Sequence, residues 1–166
     1  ELREALPVIA KEKTANDFVD LGYYTDERGY KRYGEIPKQK NIMEILPKIL
    51  ISIVALEHIY ILWMEMFAWE TKGKEVFKAA LPPEMFKSTK GLAANQGLYN
   101  GFLAAGLIWS LFICDEKWQD NIALFFLGCV TIAGIYGAIS STKKIFFVQS
   151  LPAILAIIAV LVQEFF

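Results

Sequence analysis

The stretch from Ile49 to Trp69 reads ILISIVALEHIYILWMEMFAW, and it decides the fold class. It is almost wholly apolar over about 21 residues. A helix of that length spans roughly 30 Å, which matches the hydrocarbon core of a bilayer. The run is too long for an ordinary buried strand. It therefore predicts a helix that crosses a membrane.

Similar apolar runs follow at Leu92–Cys114, Asn121–Ser140 and Ile145–Phe166. Each is long enough to cross the bilayer once. Tryptophans lie mostly near the ends of the runs, as interfacial anchors do. The sequence therefore predicts an all-α fold. We expect a four-transmembrane-helix antiparallel bundle over residues 41–166, with helices at about 49–69, 92–114, 121–140 and 145–166.

Composition narrows the function classes. The formal net charge is −1 for 166 residues, so no nucleic-acid partner is predicted and the expected partner is the lipid bilayer. Charged residues crowd into 1–48 and 70–90. Cys114 and Cys129 form no metal-ligand spacing, and His58 is the single histidine. No metal site is predicted within one chain, and no cofactor is indicated.

Residues 1–40 read as a polar, water-soluble N-terminal tail or an extra, fused segment. Within them, Asp26, Glu27, Arg28 and Gly29 separate two tyrosine-rich flanks, which predicts a small β-hairpin. A partly ordered tail or the remnant of another domain is the alternative. Residues 1–20 show no signal-peptide pattern.

The connections between runs predict the topology. Loop one, Glu70–Gly91, and loop three, Ser141–Lys144, are rich in lysine, while loop two, Asp115–Asp120, is short and acidic. Short links force neighbouring helices to run antiparallel. The positive-inside rule therefore predicts a multi-pass cell-membrane protein with loops one and three in the cytoplasm and both termini outside. Three lysines between residues 38 and 48 oppose this orientation.

The functional prediction rests on the polar side chains inside the four apolar runs. A charge at the membrane centre costs roughly 2.5–3.5 kcal/mol on insertion scales, so such groups usually face partners or cavities. Antiparallel threading places most of these polar groups in the half of the membrane next to loop one. We predict a polar ligand pocket there, closed at the far end by apolar side chains. The candidate ligand-binding residues are Glu57, His58, Glu65, Asn95, Gln96, Tyr99, Asn100, Tyr136 and Gln149.

A purely structural role for these residues is the competing interpretation. Amides and hydroxyls often hydrogen-bond between membrane helices, and Glu65 could extend to the interface. Small residues also form two rows, Gly97/Gly101/Ala105 and Ala133/Gly137, where another helix could approach closely. That helix could belong to the same chain or to a second copy.

Two segments resemble a known family. Glu57–Trp69, EHIYILWMEMFAW, and Asn95–Leu107, NQGLYNGFLAAGL, resemble an uncharacterised bacterial family of small four-helix integral membrane proteins, a domain of unknown function. The resemblance implies the architecture and no activity. A weaker one is to the membrane-associated eicosanoid and glutathione metabolism superfamily, which implies a glutathione site with Asn95 at a matching asparagine. Residues 91–100 lack that superfamily's arginines.

Three functions follow as hypotheses. The first is a module that binds or moves a small lipophilic or amphipathic ligand in the pocket. The second is a membrane enzyme with Glu57, His58 and Glu65 as acid/base candidates, although no catalytic triad or phosphate loop is present. The third is a structural or assembly subunit, including a homo-oligomer. The sequence identifies neither the ligand nor a catalytic residue.

Overall fold

The computed structural model describes residues 23–25, 28–29, 31–33 and 42–163. The chain divides into two compact units, Glu1–Gln39 and Lys40–Phe166. The predicted boundary between 40 and 41, and the origin of the N-terminal segment, stay predictions. Residues 164–166 of the predicted last helix lie outside the described residues.

The described part of the first unit is a two-stranded hairpin. Strand β1, Tyr23–Thr25, pairs antiparallel with strand β2, Lys31–Tyr33, so that Tyr23 lies opposite Tyr33. Gly29, between the strands, has a positive φ of 82°, a backbone conformation that costs glycine little. The predicted hairpin is confirmed. The remaining predictions for residues 1–40 fall outside the described residues.

The described part of the second unit is helical. Its elements are α1 (Ile42–Phe67), a π-helical segment (Trp69–Gly73), α2 (Lys74–Phe77), α3 (Met85–Leu111), α4 (Glu116–Ser140), a second π-helical segment (Phe146–Ser150) and α5 (Leu151–Gln163). Four long elements therefore follow the four apolar runs of the sequence.

Three stretches of helix are long and apolar enough to cross a membrane: Ile45–Phe67, Glu116–Ser140 and Phe146–Gln163. Large apolar side chains are exposed on all three, including Leu56, Ile132 and Leu155. Water-soluble monomers rarely expose apolar surface so extensively, whereas a bilayer covers it. α3 is long enough to cross a membrane but is less apolar, because it contains Asn95, Gln96 and Asn100.

The predicted helix starts were wrong in three places. α1 and α3 begin seven residues earlier than predicted, at Ile42 and Met85. A helix can continue into water beyond its apolar section. Hydropathy therefore predicts which section lies in the membrane, and it does not predict where the helix begins. α4 begins at Glu116 instead of residue 121 because the Asp115 carboxylate accepts a hydrogen bond from the Trp118 backbone N–H at 2.9 Å, a helix N-cap.

The buried apolar core lies next to the connection between α3 and α4. Side chains from α1, α3, α4 and α5 meet there, among them Ile51, Leu107, Leu127 and Val160. Contact between all four long helices at this end fixes the depth of α3 relative to α1. It also places the polar side chains of α1 and α3 towards the opposite end.

Candidate functional site

A buried carboxyl group joins α1 to α3. The Glu65 side chain belongs to a residue that is only 2% exposed. The Asn100 amide nitrogen donates a hydrogen bond to Glu65 Oε2 at 2.9 Å, and a second one to the Gln96 backbone carbonyl at 3.2 Å. Two of the nine predicted residues are therefore brought into direct contact.

Glycines allow the close approach that makes this contact possible. A Cβ added at Gly97 would lie 2.9 Å from Met66 Cγ and 3.2 Å from the Leu62 backbone oxygen. A Cβ added at Gly101 would overlap the Leu62 side chain. The first predicted row of small residues thus packs within the chain, as small residues at membrane helix interfaces do. Its third member, Ala105, is exposed.

His58 lies two turns from Glu65 on the same face of α1 and is 1% exposed. Its Nδ1 lies 2.8 Å from the Val54 backbone oxygen. Because a carbonyl oxygen only accepts, Nδ1 is the donor, and in the neutral ring the proton is fixed on Nδ1. Nε2 is then an acceptor, and no partner for it occurs among the described residues.

Glu57 stands beside His58 near the middle of the apolar segment Ile45–Phe67. The residue is half-buried, and its Oε1 atom is buried without a hydrogen-bond partner in the described part of the chain. A buried polar atom without a partner costs free energy, and more so in an apolar environment. The centre of α1 therefore presents two acceptors, Glu57 Oε1 and His58 Nε2, whose hydrogen-bonding capacity is unused.

The remaining predicted residues are dispersed. Asn95, Gln96, Tyr99 and Tyr136 are exposed, Tyr136 by 71%, and Gln149 is half-buried. No hydrogen bond of their side chains to another predicted residue occurs in the described part of the chain. The structure therefore does not gather all nine residues around one centre, although ligand binding by each of them stays a prediction.

The sequence did not predict the polar contacts at the end of the helices away from loop one. That end was expected to be almost purely apolar. Gln119 Nε2 donates to the Ser110 backbone oxygen at 3.2 Å, and Gln163 Nε2 donates to Asp120 Oδ2 at 2.8 Å. The signal was present in the sequence, because Gln119 and Asp120 are polar residues beside an apolar run. These bonds tie the ends of α3, α4 and α5 together.

A separate groove was also missed. It has a volume of about 550 Å³ and lies between the last turns of α4 and the second π-helical segment. None of the nine predicted residues lines it. Its lining residues are Ile135, Ala138, Ile139, Lys143, Phe146 and Phe147. Only a three-dimensional arrangement could reveal it, because its walls come from both sides of loop three.

Charged and aromatic contacts organise loop one. Glu70 Oε1 and Lys90 Nζ form an ion pair at 2.9 Å, and the hydrogen bond from Lys90 lowers the pKa of Glu70. Trp69 Nε1 donates to Thr89 Oγ1 at 3.1 Å, and its ring packs against Phe86 with centroids 5.1 Å apart. These contacts fix the end of α1 against the start of α3.

Metal ligation has no visible basis in the described residues. No group of three or more histidine, cysteine, aspartate or glutamate side chains is placed there to hold an ion. Cys114 is exposed, Cys129 is half-buried, and both are free thiols.

Long helices with exposed apolar faces, three of them able to cross a bilayer, define a membrane protein. The chain belongs to the family described as "Protein of unknown function (DUF1304)", whose profile matches residues 52–161. It is 37% identical over 118 residues to "Uncharacterized protein YpaA" of Lactococcus lactis subsp. lactis (strain IL1403), which covers 70% of this chain and 98% of that relative. The resemblance to an uncharacterised family is confirmed. No solved structure matches the chain.

Proposed function

We propose that the chain crosses the membrane four times, with α3 as the fourth span. α3 lies beside α1 along its length, from the Trp69–Phe86 ring contact to the core contact of Leu107. Since α1 contains a membrane-spanning segment, α3 occupies the same depth. Residues 91–111 of α3 contain no Asp, Glu, Lys or Arg and cover roughly 31 Å.

Four spans place the connection 68–84 and the connection 141–144 on one side of the membrane. Both are rich in lysine, so the positive-inside rule assigns them to the cytoplasm. The ends of the helical unit then lie outside, together with the connection 112–115.

The function supported best is binding of a small lipophilic ligand by its polar end, at the centre of α1. The observation that supports it is the unused capacity of Glu57 Oε1 and His58 Nε2. Polar groups persist inside membrane helices when a partner offsets their cost. A ligand with two hydroxyl or N–H hydrogens to donate would satisfy both acceptors, while its apolar body contacts the neighbouring side chains.

Glu65 and Asn100 serve this proposal as positioning residues. Their hydrogen bond is complete within the chain, so they do not need a ligand. They hold α3 against the α1 face that carries His58. The ligand therefore binds next to a helix pair with a fixed separation.

The test is a thermal-shift screen of the purified protein in detergent against quinols, long-chain alcohols and hydrophobic amines. We expect at least one of these donor-bearing classes to raise the melting temperature. The gain should be lost in His58→Phe and Glu57→Met and retained in Tyr60→Phe, a variant of the exposed face of the same helix. The proposal is overturned if no class stabilises the protein, or if all three variants respond like the parent.

Association of copies is a second candidate, favoured by the outer face of α3. Asn95 and Gln96 are exposed there, and Tyr99 is 58% exposed. Amide groups both donate and accept, so two copies of this face could hydrogen-bond to each other. Gly97 and Gly101 are already packed against Leu62 and do not contribute. Cross-linking in bilayers tests this association. Asn95→Cys should cross-link between copies, whereas the control Leu98→Cys, on another side of α3, should not.

A further inference from the structure

The groove beside loop three has the chemistry of an amphipathic binding site. Five of its six lining residues are apolar, and the sixth is Lys143 at the loop. We propose that it binds one anionic phospholipid from the leaflet on the loop-three side. Lys143 contacts the headgroup phosphate, and an acyl chain lies along the apolar wall.

The shape of the groove follows from local packing. A Cβ at Gly137 would lie 2.9 Å from Ile145 Cγ2, so the glycine lets the chain after loop three return close to α4. Beside this contact, Ala138 leaves space that a larger side chain would fill. Phe146 and Phe147 pack edge to face, with centroids 5.5 Å apart, and form the opposite wall. The volume of about 550 Å³ lies within the range of ligand pockets.

Charge selects an anionic occupant. Lys143 is exposed and makes no ion pair within the described residues, and Lys144 follows it. Residues 141–150 contain no Asp or Glu that could neutralise these ammonium groups. A phosphate near the membrane surface is attracted to such a lysine, whereas a zwitterionic headgroup brings its own cation.

Position selects a lipid over a water-soluble anion. Ile135, Ile139 and Phe147 line the groove and are themselves exposed on the outer surface of the helices. On a membrane-spanning α4, this surface faces acyl chains. The inference rests on α4 crossing the bilayer and is independent of the proposed site at Glu57 and His58.

Native mass spectrometry tests the proposal on the full chain released from nanodiscs containing equal phosphatidylglycerol and phosphatidylcholine. We expect one retained phosphatidylglycerol per chain. Lys143→Ala should weaken this retention about fivefold, whereas Lys144→Ala should change it less than twofold. The lysine pair is a matched control because both residues are exposed and only Lys143 lines the groove.

A second pair of variants tests the cavity itself. Ala138→Phe fills the groove and should abolish retention, while Ala133→Phe, at an exposed position of the same helix that does not line the groove, should not. Thermal unfolding of each variant separates lipid loss from misfolding. Equal retention of both lipids by the parent overturns the proposal, as does an equal effect within either pair of variants. If the lipid proposal fails, the thermal shifts expected for His58→Phe and Glu57→Met still hold, so the two proposals are tested independently.

Discussion

Asn100 donates a hydrogen bond to the buried carboxyl of Glu65 across the interface of α1 and α3, at 2.9 Å. The contact occurs beside Gly97, which lies close to the Leu62 backbone oxygen, and Gly101, against which the Leu62 side chain packs. The hydrogen bond and the close packing at the glycines therefore both stabilise the pair α1 and α3, and separate variants can test each of them.

Loss of the Asn100 amide should destabilise the protein. Asn100→Ala leaves the Glu65 carboxyl buried without the amide that donates to it, and such a loss costs about 1–3 kcal/mol. Asn95→Ala, on the exposed face of the same helix, should change the free energy of unfolding by less than about 0.5 kcal/mol. Unfolding in mixed micelles with increasing SDS measures both. Equal stabilities of the two variants would show that the hydrogen bond contributes nothing.

Alanine at Gly97 should separate α1 from α3. Its Cβ would meet the Leu62 backbone oxygen at 3.2 Å, and a backbone atom cannot turn away as a side chain can. We expect a loss of about 1–3 kcal/mol, the usual cost of overpacking. Gly91→Ala, in the same helix with nothing within 4 Å, should instead gain about 0.5–1 kcal/mol from helix propensity. The same SDS titration reports both, and a stabilised Gly97→Ala would contradict the close approach.

The helical fold was predictable because chain length and apolar character act locally. A run such as Ile49–Trp69 has few structural options in a bilayer, so the helices appear at the expected places. The row Gly97/Gly101 was also readable, since glycine four residues apart marks a close helix contact. The ends of the helices were not predictable from the sequence, because the Asp115 cap and the π-helical segments depend on local hydrogen bonds.

The candidate site was less predictable because residue depth does not determine residue direction. Tyr136 and Glu65 were both predicted in the membrane half next to loop one, yet Tyr136 points outward and Glu65 is buried. The direction of each side chain depends on helix rotation, which the packing of all four helices sets together. The groove at Lys143 depends on the return of the chain after loop three, and no sequence pattern encodes that volume.

The ion pair Glu70–Lys90 should make stability depend on pH in the acid range. The hydrogen bond from Lys90 lowers the pKa of Glu70 below its usual value of about 4.5. A lowered carboxyl pKa stabilises the folded state above about pH 4.5, and this contribution is lost as pH falls through the folded-state pKa. The parent should therefore melt above Glu70→Gln at pH 7, and the difference should shrink as the pH falls below about 4.5.

Salt and a control variant sharpen this prediction. Both partners are exposed, so 0.5 M salt should shrink the difference at pH 7. Glu84→Gln alters an exposed carboxyl that has no ion pair among the described residues, and it should show neither the pH nor the salt effect. A difference in melting temperature that does not shrink in acid would assign the effect to something other than the Glu70 charge.

The fourth span predicts the side from which single cysteines can be labelled. Cys114 is exposed in the connection after α3, and Glu84 is exposed just before α3. With Cys129 changed to Ser, the native Cys114 should react with a membrane-impermeant maleimide on intact cells. In a background without both native cysteines, Glu84→Cys should react only after permeabilisation, because the lysine-rich connections are expected in the cytoplasm. Opposite protection of the two positions would show an inverted orientation, whereas labelling of both from one side would show that α3 does not cross the membrane.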